Sequence, residues 1–159
     1  MLLEGACHCR SVRFSVHSNE PYPDMYCYCS ICRKTAGGGG YAINLSADAE
    51  SLQIQGEEHL SIYQVKVDDE ELSPAKRHFC SRCGSALWAW DSRWPELLHP
   101  FASAIDTPLP KAPERCHIML DYAPDWVPVA SGDQNARFSE YPDQSIHDGH
   151  QSRGLLRED

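Results

Sequence analysis

The chain has 159 residues, 42% hydrophobic and 23% charged, which suits a soluble globular domain with a real core. Its net charge is −9, from 14 Lys and Arg against 23 Asp and Glu, so it is a poor general partner for nucleic acid, whose phosphates need a basic surface. No apolar run approaches the roughly 20 residues that cross a bilayer. The N-terminus lacks the basic and apolar regions of a signal peptide, so a cytoplasmic protein with no membrane partner is expected.

In chain order, Ser11–Val16 alternates apolar and polar residues and predicts a half-buried strand. Pro21 and Pro23 are expected to break the chain. Ser30 is placed to cap a short helical turn over Ile31–Lys34, which Gly37 to Gly40 would end. Strands are predicted at Tyr41–Leu45, Leu52–Ile54, Leu60–Gln64, Lys76–Phe79 and Ala86–Trp90, with turns at Gly56, Asp68-Asp69 and Gly84. The acidic stretch Val67–Pro74 reads as an exposed hairpin tip. Five prolines between Trp94 and Pro113 forbid a long helix there, leaving a possible strand at Ala102–Ile105. Two further strands are predicted at His117–Leu120 and Trp126–Val129. After Ser131 the chain turns polar. The division expected is a domain over residues 1–130 and a polar tail over 131–159, packed on the domain or extending from it.

Seven of the eight cysteines fall in three clusters: Cys7-His8-Cys9, Cys27-Tyr28-Cys29-Ser30-Ile31-Cys32 and Cys80-Ser81-Arg82-Cys83. In a cytoplasmic chain such spacing points to metal thiolates rather than disulfides, and soft thiolates favour zinc. Cys80-x-x-Cys83 followed by Gly84 has the form of a zinc knuckle, and with Cys7-x-Cys9 it makes a closed four-sulfur structural site. Cys27, Cys29 and Cys32 remain as a three-sulfur set, which leaves zinc a position for chemistry unless Cys116, His78, His117 or a tail histidine closes it. Two alternatives stay open. Cys29 and Cys32 could pair with Cys80 and Cys83, leaving Cys7, Cys9 and Cys27, and an iron–sulfur cluster is chemically allowed.

Three stretches resemble the glutathione-dependent formaldehyde-activating enzyme family, related to centromere protein V. They are Gly5-Ala6-Cys7-His8-Cys9-Arg10-Ser11-Val12-Arg13-Phe14, Cys27 to Lys34, and Arg77 to Leu87. Ala104-Ile105-Asp106, Pro113 to His117 and Pro124 to Val127 resemble later motifs of that family. The resemblance implies a mainly β, β-tent fold of short antiparallel strands with few short helices, stapled by a four-cysteine zinc site. It implies two zincs per chain, a structural one on Cys7, Cys9, Cys80 and Cys83 and a catalytic one on Cys27, Cys29 and Cys32. It implies a carbon–sulfur lyase that joins glutathione and formaldehyde into S-(hydroxymethyl)glutathione. The chain departs from the pattern at Arg10, where glycine is usual, at Tyr28, where histidine is frequent, and at Asp125, which is inserted between Pro124 and Trp126.

Arg33 and Lys34 follow the third thiolate and are candidates for binding an anionic substrate. Gly37 to Gly40 could admit a substrate backbone, and more simply form a flexible turn. His117 reads as a satisfied core residue and Cys116 as a small buried hydrophobe. The function expected is addition of a glutathione-like thiol to a small electrophile such as an aldehyde, by a chain that could be a homo-oligomer. The alternative is a non-catalytic β-tent binding module with two structural zincs.

Overall fold

A computed structural model describes residues 1–67 and 71–157. The chain is mainly β, with eleven strands and two seven-residue α-helices among the described residues. β1 (Leu2–Ala6), β2 (Arg13–His17) and β5 (Gln53–Gln55) form a small antiparallel sheet. The larger sheet runs in the order β11 (Asn135–Arg137), β10 (Arg115–Ile118), β3 (Glu20–Cys27), β4 (Ala42–Asp48), β9 (Leu97–Pro100), β8 (Ala86–Asp91), β7 (Ala75–Cys80) and β6 (Leu60–Tyr63). Its pairings are antiparallel except β10 with β3 and with β11.

The alternation in β2 works as its sequence predicts. Phe14 and Val16 are buried while Arg13 and His17 face out. With Leu3 and Val12 they pack on Leu45, Leu87, Trp88 and Leu98 of the large sheet. The rings of Phe14 and Trp88 meet edge-on at 5.0 Å, a geometry that adds about 1 kcal/mol to their burial. Gly5 is required here: a Cβ on it would lie 2.5 Å from the Ala104 carbonyl oxygen and 2.6 Å from the Phe14 ring. A second core holds Cys27, Cys32, Ala42, Phe101, Cys116 and Ile118, and this one surrounds the three-sulfur set.

Several expectations need correction. Pro21 and Pro23 do not break the chain but lie inside β3, whose pairing with β4 shifts register between Glu20 and Met25. An irregular ladder tolerates residues that lack an N–H. The α1 helix (Ser30–Ala36) starts at Cys29, not at a Ser30 cap: the Cys32 N–H donates to Cys29 Sγ at 3.3 Å. Ala102–Ala104 is a single 3-10 turn rather than a strand, and Trp126–Val129 forms no strand. The proline-rich stretch nevertheless contains β9, and the N-terminal residues form β1. The predicted turn at Asp68-Asp69 lies outside the described residues. On either side of it Lys66 bridges Leu72, and the Val67 N–H donates to the Glu71 carbonyl at 2.9 Å.

Residues 131–157 supply β11 and α2 (Ile146–Ser152). Salt bridges and aromatic contact dock α2 beside β3. His147 Nδ1 lies 2.6 Å from Glu20, Arg153 is 2.8 Å from Glu114 and 3.6 Å from Asp24, and the buried His150 ring packs on Tyr22 at 5.7 Å. No described helix is long and apolar enough to cross a membrane.

Candidate metal centre and active site

The seven clustered sulfurs gather into two groups, Cys7 with Cys9, Cys80 and Cys83, and Cys27 with Cys29 and Cys32. Within each, all sulfurs lie within 4.8 Å of one another. The alternative pairing of Cys29 and Cys32 with Cys80 and Cys83 is not the one the fold makes.

The four-sulfur group is built from two matching turns. In the first, the Arg10 N–H donates to the Cys7 carbonyl at 2.9 Å and the Val12 N–H to Cys7 Sγ at 3.2 Å. In the second, the Gly84 N–H donates to the Cys80 carbonyl at 2.8 Å. Each turn closes on a left-handed residue, Gly84 at φ 75° and Arg10 at φ 59°. Zinc–sulfur bonds of about 2.3 Å in a tetrahedron set ligand sulfurs about 3.8 Å apart. Cys7 and Cys9 sulfurs are 3.5 Å apart, and Cys9 and Cys80 sulfurs 3.8 Å, so the donors fit such an ion. A hydrogen bond from Ser85 holds the Cys83 thiol down at about 5, while burial raises Cys80 to about 11.

The three-sulfur group spans the end of β3 and the first turn of α1. Strand alternation turns Cys27 to the inner face and Tyr28 to the other, and the Tyr28 N–H donates to the Ile118 carbonyl of β10 at 3.1 Å. Cys29 caps the helix, and its following turn brings Cys32 back beside it. Hydrogen bonds from Cys27 and Cys32 draw the Cys29 thiol down to about 2. The same contacts, with burial, push Cys27 far up. Cys32 is lowered by its bond with Cys27 but raised more by Cys29 and burial, and ends above the ordinary thiol value. The trio therefore holds one negative charge readily and further ones only against like-charge repulsion. A dication relieves that repulsion, so the donor set fits a soft metal ion such as zinc.

Among the described residues no further Cys, His, Asp or Glu joins this group. Both ring nitrogens of His117 are engaged elsewhere, Nδ1 with the Tyr28 hydroxyl at 2.8 Å and Nε2 with Asn135 Oδ1 at 3.0 Å. His78 stacks on Trp88 at 5.1 Å, away from the trio. Cys116 packs in the surrounding core, and its thiol is raised to about 11 by burial. The Tyr28 phenol points at His117, not at the sulfurs, and burial raises it to about 12.

A family model described as glutathione-dependent formaldehyde-activating enzyme matches residues 2–121. The chain belongs to the glutathione-dependent formaldehyde-activating enzyme family. A Halomonas elongata protein named "Putative glutathione-dependent formaldehyde-activating enzyme" is 63% identical over 155 residues, 98% of each chain. The crystal structure of a Rhodobacter sphaeroides protein is similar at a TM-score of 0.54 and 28% identity, over 67% of this chain and 91% of that one.

In this family member a groove of about 560 Å³ runs from the Cys7 turn along α1. Arg33 and Lys34 both line it. Ala36 and Ala86, also on its wall, pack against the core that holds Cys27 and Cys32. Three further residues near the sites carried no assignment from sequence. Arg10 lines the same groove, and its replacement of the usual glycine was the available signal. Arg77 opposes Ala89 across β7 and β8, beside the trio, and its charge works against the rise of Cys32. Tyr141, from the polar tail, is largely exposed on the side of the three sulfurs: its phenol is raised by partial desolvation and then by the charges of Cys27 and Cys29. Nothing in the local sequence marks Tyr141, because its place depends on how the last residues wrap.

Proposed function

We propose that the protein is a zinc-dependent carbon–sulfur lyase, working in the synthetic direction, that adds glutathione or a similar thiol to formaldehyde at Cys27, Cys29 and Cys32. The supporting observation is a three-sulfur group that no other described side chain completes, in a chain whose family is named for glutathione and formaldehyde. In this reading Cys7, Cys9, Cys80 and Cys83 hold a structural zinc, and the trio holds a second zinc with a position free. Zinc held by Cys27, Cys29 and Cys32 would supply a Lewis acid that lowers the pKa of an incoming thiol toward neutral pH.

The chain's own residues do the rest. Arg33 and Lys34 draw the anionic substrate to α1 against the chain's overall negative charge. Phe101 and Ile118 wall the buried side of the trio and limit access of water there. The substrate sulfur attacks the aldehyde carbon. A carbon–sulfur bond forms, the carbonyl π pair moves to oxygen, and that oxygen takes up one proton for the one the thiol lost. A reducing cytoplasm suits the chain, whose eight cysteines are all free.

The test is exchange spectroscopy with isotopically labelled formaldehyde and glutathione, because the two also combine without a catalyst. The zinc-loaded protein is expected to speed interconversion well above the buffer rate. Cys29→Ser is expected to lose that acceleration and keep its fold by circular dichroism. An exchange rate no faster than buffer, with two zincs bound per chain, would sink the assignment.

A further inference from the structure

Arg10 occupies a backbone conformation that side chains disfavour. Its φ of 59° lies in the left-handed region, where a Cβ crowds the following carbonyl and glycine is the unstrained choice. The equivalent position in the second knuckle is Gly84. A bulky residue kept in a strained conformation points to a use for its side chain.

The surroundings indicate that use. Arg10, Arg33 and Lys34 line the 560 Å³ groove, a size suited to a small-molecule ligand. Among the described residues none of these three side chains has an ion-pair or hydrogen-bond partner, and Arg33 Nε is buried without one. Asp106 is the single carboxylate on the lining, which also carries His8. Three unpaired cations thus share one concavity in a chain of net charge −9. Ala36 and Ala86 line this groove and also pack against the core that holds Cys27 and Cys32, so the groove borders that core.

We infer that Arg10 is a specificity-determining residue, and that with Arg33 and Lys34 it binds the carboxylates of a peptide thiol carrying more than one of them. This rests on the proposed thiol–aldehyde reaction for the substrate's sulfur, but the groove itself is testable without it. Guanidinium groups pair with carboxylates through charge-assisted hydrogen bonds, and a thiol with an uncharged tail gains nothing from the groove.

The experiment titrates zinc-loaded protein with the glutathione analogue that has a methyl group in place of the thiol, which keeps both carboxylates and cannot react. Calorimetry compares wild type, Arg10→Gly and Arg10→Lys, alongside KM and kcat for glutathione. Glycine suits the backbone, so Arg10→Gly folds. The analogue is expected to bind wild type, to bind Arg10→Gly about tenfold more weakly, and to be largely rescued by Arg10→Lys. KM for glutathione is expected to rise in Arg10→Gly with kcat little changed. Equal affinity in wild type and Arg10→Gly, or no binding to wild type, overturns the inference even if the reaction proceeds. Arg10-dependent binding without turnover in wild type leaves the groove standing and removes the reaction instead.

Discussion

At Arg10 the left-handed backbone costs about 1 kcal/mol relative to an unstrained residue, partly offset by the entropy a glycine would lose. Arg10→Gly is therefore expected to keep or slightly raise stability, by up to about 1 kcal/mol, or roughly 2–4 °C in Tm for a chain of this size. Scanning calorimetry checks it. A fall in Tm would mean that the arginine supports the turn rather than a ligand. The cysteines show the same dependence on surroundings. Cys29 is drawn down by two neighbouring sulfurs, Cys80 is raised by burial, and Cys116 is raised by burial without belonging to either group.

Elements meet behind the trio through one chain of hydrogen bonds. The Asn135 amide donates to the Ser131 carbonyl at 3.2 Å, which fixes its Oδ1 toward His117. His117 Nε2–H then donates to that oxygen, and Nδ1 accepts from the Tyr28 hydroxyl. The chain ties β11 through β10 to the residue between Cys27 and Cys29. Tyr28→Phe strands a buried ring nitrogen and is expected to cost 1–3 kcal/mol in a urea unfolding curve. No measurable loss would show that water or a ring flip satisfies His117 instead. The motif position that often carries histidine thus serves here to anchor the strand from its opposite face.

Across the whole molecule the two cysteine groups are placed differently. Cys9 and Cys80 stand 71 residues apart in sequence, so a metal on the four-sulfur group closes a long loop between the small sheet and the large one. By the loop-closure argument used for disulfides, that link contributes about 4 kcal/mol. The three-sulfur group closes only a short local turn, and its loss costs far less. Cys80→Ser is therefore expected to lower the unfolding midpoint strongly and Cys29→Ser only slightly, measured with zinc in excess. Equal losses would contradict the division into structural and catalytic groups.

The sequence by itself determined the cysteine clusters, the mainly β class, most central strands and the family, because metal-ligand spacing and strand alternation are local patterns. It set Cys27, Cys29 and Cys32 apart from the other four, and the fold gathers the sulfurs in those two groups, since a C-x-C-x-x-C run can fold onto itself. It misread β3, where two prolines sit in an irregular ladder, and it predicted no strand or helix in the tail, where residues 131–157 supply β11 and α2. Only the tertiary structure decided that His117 faces Tyr28 and Asn135 and that Arg10, Arg33 and Lys34 share a groove. Those juxtapositions join residues distant in sequence, and they depend on sheet register and on the turns at Arg10 and Gly84, which no local pattern specifies.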